Sequence, residues 1–351
     1  MSAPAAAVRL ARVPRSALLL PALGVLLVAA VLVNVATGAV TIAPDQVLTS
    51  VLAQVGLAES PGPQLDGVLW AIRVPRVVLA CLVGAGLGVA GASLQGVFRN
   101  PLADPGLLGV SSGAAVGAVG AIVLGLGPLT LAALPFAAFL GGLVAVVAAY
   151  AVARHDGRTE VLTLVLAGVA VNAVAGGVIG LLTYLADDAE LRTITFWSLG
   201  SLGGATWRSV AQAAPFVVVG TVLLTRSGRT LNVLVLGDRE ARHLGLAPER
   251  SRLRIVALTA LVTGAAVAVS GIVGFVGLVV PHLIRLLVGP DHRLLLPASA
   301  LAGASVLLLA DLLARMLVIP AELPLGVVTA LVGGPFFLWL LVRTRRSGSW
   351  G

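Results

Sequence analysis

Apolar residues in this chain run in long stretches and do not alternate with polar ones. Ten such runs stand out, at roughly 16–36, 68–97, 108–125, 129–153, 160–184, 208–225, 251–270, 275–289, 295–317 and 324–343. Most are ~18–25 residues long, the length an α-helix needs to cross the hydrocarbon core of a bilayer. Membrane barrel strands would be ~10 residues long and would alternate. In lipid every backbone polar group needs an internal partner, which leaves helices as the spanning element here. The pattern predicts an all-α integral membrane protein of about ten transmembrane helices, a single transmembrane domain over 1–351. The eighth run is short and contains Pro281, so it is expected to be kinked or shielded by protein. The longer polar stretches, 38–67, 186–207 and 226–254, read as connections. No soluble domain, short-period repeat or low-complexity tail is evident.

The first run has basic residues before it and small residues near Ala36–Ala39, as a signal peptide would. Its apolar stretch, Ala17 to Val33, exceeds the usual 7–15 residues of a cleaved leader, so it is read as a retained membrane helix.

Composition agrees with the pattern. The chain is 58% hydrophobic, 11% charged and of mean hydropathy +1.06. Soluble domains carry roughly 25% charged residues. A net charge of +8 raises the question of nucleic acid, but the basic residues sit singly or in short clusters between apolar runs. That is a topology signal rather than a nucleic-acid patch. With the N-terminus placed inside, 18 arginines fall inside and five (Arg73, Arg76, Arg192, Arg208 and Arg315) fall outside. Both termini are therefore expected in the cytoplasm. All 23 basic residues are arginine. Without lysine there is no Walker A lysine, so if ATP drives this protein another chain binds it. Cys81 lies in an apolar run and reads as a small buried hydrophobe.

The cytoplasmic stretch Leu231 to Arg254 reads LNVLVLGDREARHLGLAPERSRLR. Asp238 is placed to cap a short helix over Arg239–Leu244, with Gly245 and Pro248 ending it. A helix this short must lie against its own domain or a partner. Farther along, Gly168, Asn172, Gly176 and Gly180 recur every four residues and share one helix face. Two readings stand for that stripe: close helix packing of the small-xxx-small type, or a smooth wall along a translocation path. Asn100-Pro101 and Asp104-Pro105 enforce a turn after the second run.

Several stretches together resemble the FecCD family of type II ABC importer permeases, which handle vitamin B12, haem and ferric siderophores. They are Arg73-Val-Pro-Arg76; Arg99-Asn-Pro-Leu-Ala-Asp-Pro-Gly-Leu-Leu-Gly-Val-Ser-Ser-Gly113; Leu236-Gly-Asp with Ala241 and Leu244-Gly245; Gly271-Ile-Val-Gly-Phe-Val-Gly-Leu-Val-Val-Pro-His-Leu-Ile-Arg285; and the late Ala310–Arg315 and Glu322–Gly326 segments. The resemblance covers about Val68 to Arg343. It implies a ten-helix subunit in the bacterial cytoplasmic (inner) membrane, working with a second copy or close homologue. It further implies two ATP-binding subunits, which carry the ATP and Mg, below, and a periplasmic or lipid-anchored binding protein above. This chain itself would hold no cofactor and no metal and would not be an enzyme.

By the same resemblance, Arg73, Arg76 and Arg315 would receive carboxylates of the binding protein. Interfacial snorkelling is the plainer reading of the first two, and pairing with Asp311 four residues earlier that of Arg315. Asn100 and Leu102 resemble one layer of a cytoplasmic gate and Thr159 the other, although Glu160 departs from the small polar residue expected beside it. Gly168, Asn172, Gly176 and Gly180 would line the path. Gly237, Asp238, Ala241, Leu244 and Gly245, within a coupling segment at 226–250, would seat in the ATPase.

His155, His243 and His292 map to inner loops and His282 to the eighth run, so no histidine is placed to ligate haem in the outer path. His282 is read as a hydrogen-bonded packing residue. An ion-coupled secondary transporter would need intramembrane ionisable groups; only Asp311 and His282 qualify. A membrane enzyme would need a nucleophile, a paired carboxylate or a metal cluster, and none is seen. Haem is the first choice of cargo, with a ferric siderophore and cobalamin as alternatives.

Overall fold

A computed structural model describes residues 15–38, 41–126, 132–156 and 158–346. Arg9 and Arg12, and the first residues of the fourth apolar run, lie outside them.

The chain folds as α1 (Arg15–Ala36), α2 (Pro44–Gln54), a helical turn α3 (Pro63–Asp66), a π-helical segment Gly67–Arg73 and α4 (Val74–Phe98). A 3-10 turn at Pro105–Leu108 leads into α5 (Val110–Val123) and α6 (Ala133–Ala153). A two-residue hairpin pairs Arg154 with Thr159 and His155 with Arg158. Then come α7 (Val161–Leu185), α8 (Asp188–Leu199), α9 (Trp207–Arg226), α10 (Gly228–Val235) and α11 (Asp238–His243). The last four are α12 (Pro248–Ser270), α13 (Val276–Val288), α14 (His292–Met316) and α15 (Leu325–Arg346). Among the described residues seven helices are long and apolar enough to span a membrane, and α5, α13 and α15 are shorter apolar helices. These ten match the ten apolar runs.

The departures lie in the polar stretches. Those at 38–67 and 186–207 are not plain loops: they hold α2, α3 and α8. Their helices are short and half polar, so a window tuned to membrane length passes over them. In α8 the capping is explicit in the residues: Asp187 accepts from the N–H groups of Ala189 and Glu190, and Glu190 reaches back to the Asp187 N–H.

Helix α4 is the core of the bundle and is buried along most of its length. It crosses α14 at Gly84 and Gly303, where a Cβ on Gly84 would stand 2.3 Å from the Gly303 carbonyl oxygen. Lipid offers no hydrophobic drive between helices, so this backbone approach and its dispersion contacts hold the pair. The eighth run behaves as its sequence suggests: α13 is short and contains Pro281, and residues 271–275 ahead of it are not helical. The neighbouring irregular backbone is paired within the protein. Ser201 N–H donates to the Ser270 carbonyl at 2.8 Å, and Leu325 N–H to the Gly200 carbonyl at 2.8 Å.

Candidate functional site

Two polar clusters stand at opposite ends of α4. The first lies at its N-terminal end. The Arg76 guanidinium donates to Asp311 from Nε at 3.0 Å and from Nη2 at 2.9 Å, and to Glu322 from Nη1 at 2.8 Å and Nη2 at 2.9 Å. Its side chain is 9% exposed, that of Asp311 2% and that of Glu322 42%. Paired carboxylates on a planar fork are the geometry that makes burying a guanidinium tolerable.

Arg315 completes the cluster. Its Nε lies 3.3 Å from Asp311 Oδ2, an ion pair by distance without hydrogen-bond alignment. Its Nη2 donates to Asn34 Oδ1 at 2.8 Å and its Nη1 to the Thr37 carbonyl at 3.2 Å. Arg73 donates to the carbonyls of Val35 at 2.6 Å and Ala36 at 3.0 Å. Both arginines therefore serve the C-terminal end of α1, whose last carbonyls lack helical partners and carry partial negative charge.

Sequence reasoning brought Arg73, Arg76 and Arg315 to one surface, and the structure does place them together. It does not leave them free. Arg73 and Arg76 are buried, the Arg315 side chain is nearly so, and all three are partnered within the chain, so neither snorkelling nor an open row of cations describes them. The expected Asp311–Arg315 pairing is present, but Asp311 also meets Arg76, 235 residues away in the chain. The exposed acid here is Glu322, which the sequence offered only as part of a family stretch.

The second cluster lies beyond the C-terminal end of α4. Arg252, near the start of α12, has a side chain only 5% exposed. Its Nη2 donates to both oxygens of Asp238, at 2.9 and 3.0 Å, and its Nη1 donates to Glu249 at 3.0 Å and to the Thr159 carbonyl at 3.3 Å. Thr159 Oγ1 hydrogen-bonds Glu249 and, at 2.9 Å, the Tyr150 hydroxyl. Arg99, in left-handed conformation after α4, donates to Asp238 at 3.1 Å and to the Leu234 carbonyl at 3.1 Å. One network thus ties α11 to the end of α4, the start of α12 and the hairpin before α7. Arg99, Thr159, Asp238 and Arg252 line one cavity of about 350 Å³.

This corrects one expectation. Asp238 does not cap α11: Gly237, at φ 123°, holds the N-cap position, and no side chain caps the helix. Asp238 is the first helical residue and turns its carboxylate to Arg252 and Arg99. The short helix itself is as read. Gly245, at φ 78°, follows its end, Ala241 is buried against the domain, and Leu244 is 64% exposed. The sequence missed Arg252, Glu249 and Tyr150. The only local signal was the Glu249–Arg252 spacing of three at a helix start.

Of the gate residues, Thr159 is buried in this network, while Asn100 and Leu102 are outside its cavity lining. The Asn100 side chain accepts the Leu102 N–H at 2.9 Å, which builds the turn that the Asn-Pro pair announced. The α7 stripe divides in two. Gly168 is jammed against the Leu107 carbonyl, where a Cβ would come within 1.8 Å, and Asn172 donates to the Gly106 carbonyl at 3.1 Å. Gly176 and Gly180 face open space. Close packing explains the first half of the stripe and not the second.

His282 departs from its expectation. Both its ring nitrogens are buried without a hydrogen-bond partner among the described residues. His292 is held at the start of α14 by Asn232, whose Oδ1 accepts the His292 N–H at 2.9 Å. Cys81 is half-buried in α4 and free. Among the described residues no group of histidine, cysteine and acidic side chains is placed to hold a metal ion.

Known proteins resemble this chain in sequence and in fold. The hemin transport system permease protein HmuU of Yersinia pestis is 50% identical over 281 residues, covering 79% of this chain and 84% of that protein. The cobalamin import system permease protein BtuC of Halobacterium salinarum is 47% identical over 274 residues, covering 78% and 73%. The vitamin B12 import system permease protein BtuC of an Escherichia coli strain is 43% identical over 291 residues, covering 82% and 88%. A solved structure described as an inward-facing conformation of a metal-chelate type ABC transporter superposes with a TM-score of 0.83 at 32% identity, covering 93% of this chain and 99% of that one. The FecCD transport family matches residues 26–343, and this chain belongs to it.

Proposed function

We propose that this chain is the permease subunit of an ATP-binding-cassette importer that carries haem or another iron complex across the cytoplasmic membrane. The observation that carries the cargo assignment is the 50% identity to a hemin permease over most of both chains. Cobalamin is the second reading, favoured by the 43–47% identity to cobalamin and vitamin B12 permeases.

Its partners follow from what the chain lacks and what it leaves uncovered. It has no lysine, so ATP and Mg belong to a separate ATPase pair. The surface for that pair would be α10–α11, where Leu236 and Leu244 stand exposed on either side of α11, a helix flanked by Gly237 and Gly245. A second permease copy would cover the bare face of α7, whose Val174, Leu181 and Tyr184 are exposed, and the path would run beside Gly176 and Gly180. Thr159, with Asn100 and Leu102, would close that path on the ATPase side.

Docking of a binding protein would proceed by exchange. An incoming carboxylate would displace the half-exposed Glu322 from Arg76, while buried Asp311 keeps the guanidinium in place. Arg73 and Arg315 would act through the end of α1 that they hold.

The deciding experiment uses proteoliposomes containing the chain with its ATPase and binding protein. ATP-dependent uptake of haem, with little cobalamin uptake, is expected. Uptake that persists with no ATPase present sinks the importer reading; cobalamin uptake alone reverses the cargo.

A further inference from the structure

On the face opposite α11, the ends of α6, α8, α9 and α12 enclose a cavity of about 650 Å³. Arg192 from α8 and Arg208 from α9 stand in its wall with the hydroxyls of Thr193, Ser201, Thr206 and Ser209. Both arginines are exposed, and among the described residues neither joins a salt bridge or a side-chain hydrogen bond. Asp188, one turn before Arg192, does not pair with it. This contrasts with Arg73, Arg76 and Arg315 on the same face, which are all partnered.

The other half of the cavity is apolar, and it continues. Pro135, Gln212, Ala268 and Val269 line it and also line a second, almost wholly apolar groove of about 320 Å³. That groove descends between α6, α9 and α12 over Ala265, with the rings of Phe139 and Phe216 in tilted contact at a centroid distance of 5.1 Å. Phe136 and Phe216 are exposed along it. The depth is marked by tryptophan: Trp197 lines the cavity, and Trp207, one residue before Arg208, starts the membrane-length α9. Tryptophan is enriched at the headgroup level of bilayers.

A cationic, hydroxyl-rich cup at headgroup depth, opening into an apolar channel that faces hydrocarbon, has the form of one lipid molecule. We propose that this is a binding site for a single anionic phospholipid, with its phosphate between Arg192 and Arg208 and an acyl chain in the α6–α9–α12 groove. Guanidinium forks suit phosphate oxygens, and the Ser201 hydroxyl, which accepts from the Gly203 N–H and keeps its own hydrogen, can serve a remaining headgroup acceptor, whereas Thr193 and Ser209 donate to carbonyls of the chain. Inorganic phosphate would use the cup and leave the groove empty. The carboxylate of a docked protein would do the same.

Native mass spectrometry of the purified chain, titrated with phosphatidylglycerol, phosphatidylcholine and inorganic phosphate, tests the site. Each arginine near a membrane surface adds about fivefold to anionic lipid binding, so the pair gives a preference of about 25-fold for phosphatidylglycerol. Arg192→Gln with Arg208→Gln is expected to abolish that preference and to weaken phosphatidylcholine far less, because its choline ammonium already offsets the charge of the same phosphate. Ala265→Trp, which fills the groove, is expected to weaken both lipids. Circular dichroism of each variant checks that the helices persist. The proposal is overturned if the double variant keeps the preference, if inorganic phosphate displaces phosphatidylglycerol at equal concentration, or if Ala265→Trp binds both lipids as the parent does. It is also overturned if the double variant loses only binding-protein docking.

Discussion

Arg252→Gln tests whether α11 is wired to the rest of the membrane domain through one side chain. The substitution removes both bonds to Asp238, the bond to Glu249 and the bond to the Thr159 carbonyl. Breaking a fully buried ion pair costs 3–5 kcal/mol, because a charge is left without a partner. Here the carboxylates can reach water, since Asp238 is 39% and Glu249 29% exposed. Solvent takes back part of the loss, and about 2 kcal/mol is the reasonable figure. The assay is a double-mutant cycle with Asp238→Asn, read as the shift in thermal unfolding of the detergent-solubilised chain. A coupling of about 1–2 kcal/mol is expected for groups in direct contact. The same variants in the reconstituted importer should hydrolyse several-fold more ATP per molecule carried, because α11 could shift without moving Thr159. Additive effects within about 0.3 kcal/mol, together with an unchanged transport-to-ATP ratio, would refute the reasoning.

Further outcomes follow from the same geometry. Glu322→Gln should tighten binding-protein docking several-fold at low salt by freeing Arg76, whereas Asp311→Asn should lower thermal stability by about 2 kcal/mol or more through a buried guanidinium left short of charge; surface plasmon resonance and thermal unfolding separate the two. Gly168→Val should prevent stable folding, since its side chain meets the Leu107 carbonyl. Gly180→Val meets nothing within the chain, so it should fold normally and slow uptake, as measured in proteoliposomes. Gly245→Arg should leave helix content unchanged by circular dichroism and cut ATP-driven uptake, because Gly245 lies in open space at φ 78° on the proposed ATPase surface.

The ten apolar helices were legible because bilayer thickness sets a length and the lipid sets a composition, and both are written locally. The short helix at α11 was legible at its end, where Gly245 and Pro248 stop it, but its start was assigned to an Asp238 cap and the fold gives that position to Gly237. The roles inside it were not. Asp238 reads as a cap from its neighbours alone, but a carboxylate near a helix start can turn to any cation the fold supplies, and the fold supplies Arg252. The α7 stripe shows the same division. A spacing of four puts Gly168, Asn172, Gly176 and Gly180 on one face, yet only the position of the Pro105–Leu108 turn makes the first pair tight and leaves the last pair open.

The sequence by itself therefore determined the solvent, the number of spans, the absence of a Walker A lysine and the family. Tertiary structure alone decided the state of the charges. Arg76 meets Asp311 and Glu322 across more than 230 residues of chain, while Arg192 and Arg208 meet no acid in the described chain. A guanidinium's partners are set by which helices pack beside it, and that is a property of the assembled bundle that no local pattern carries.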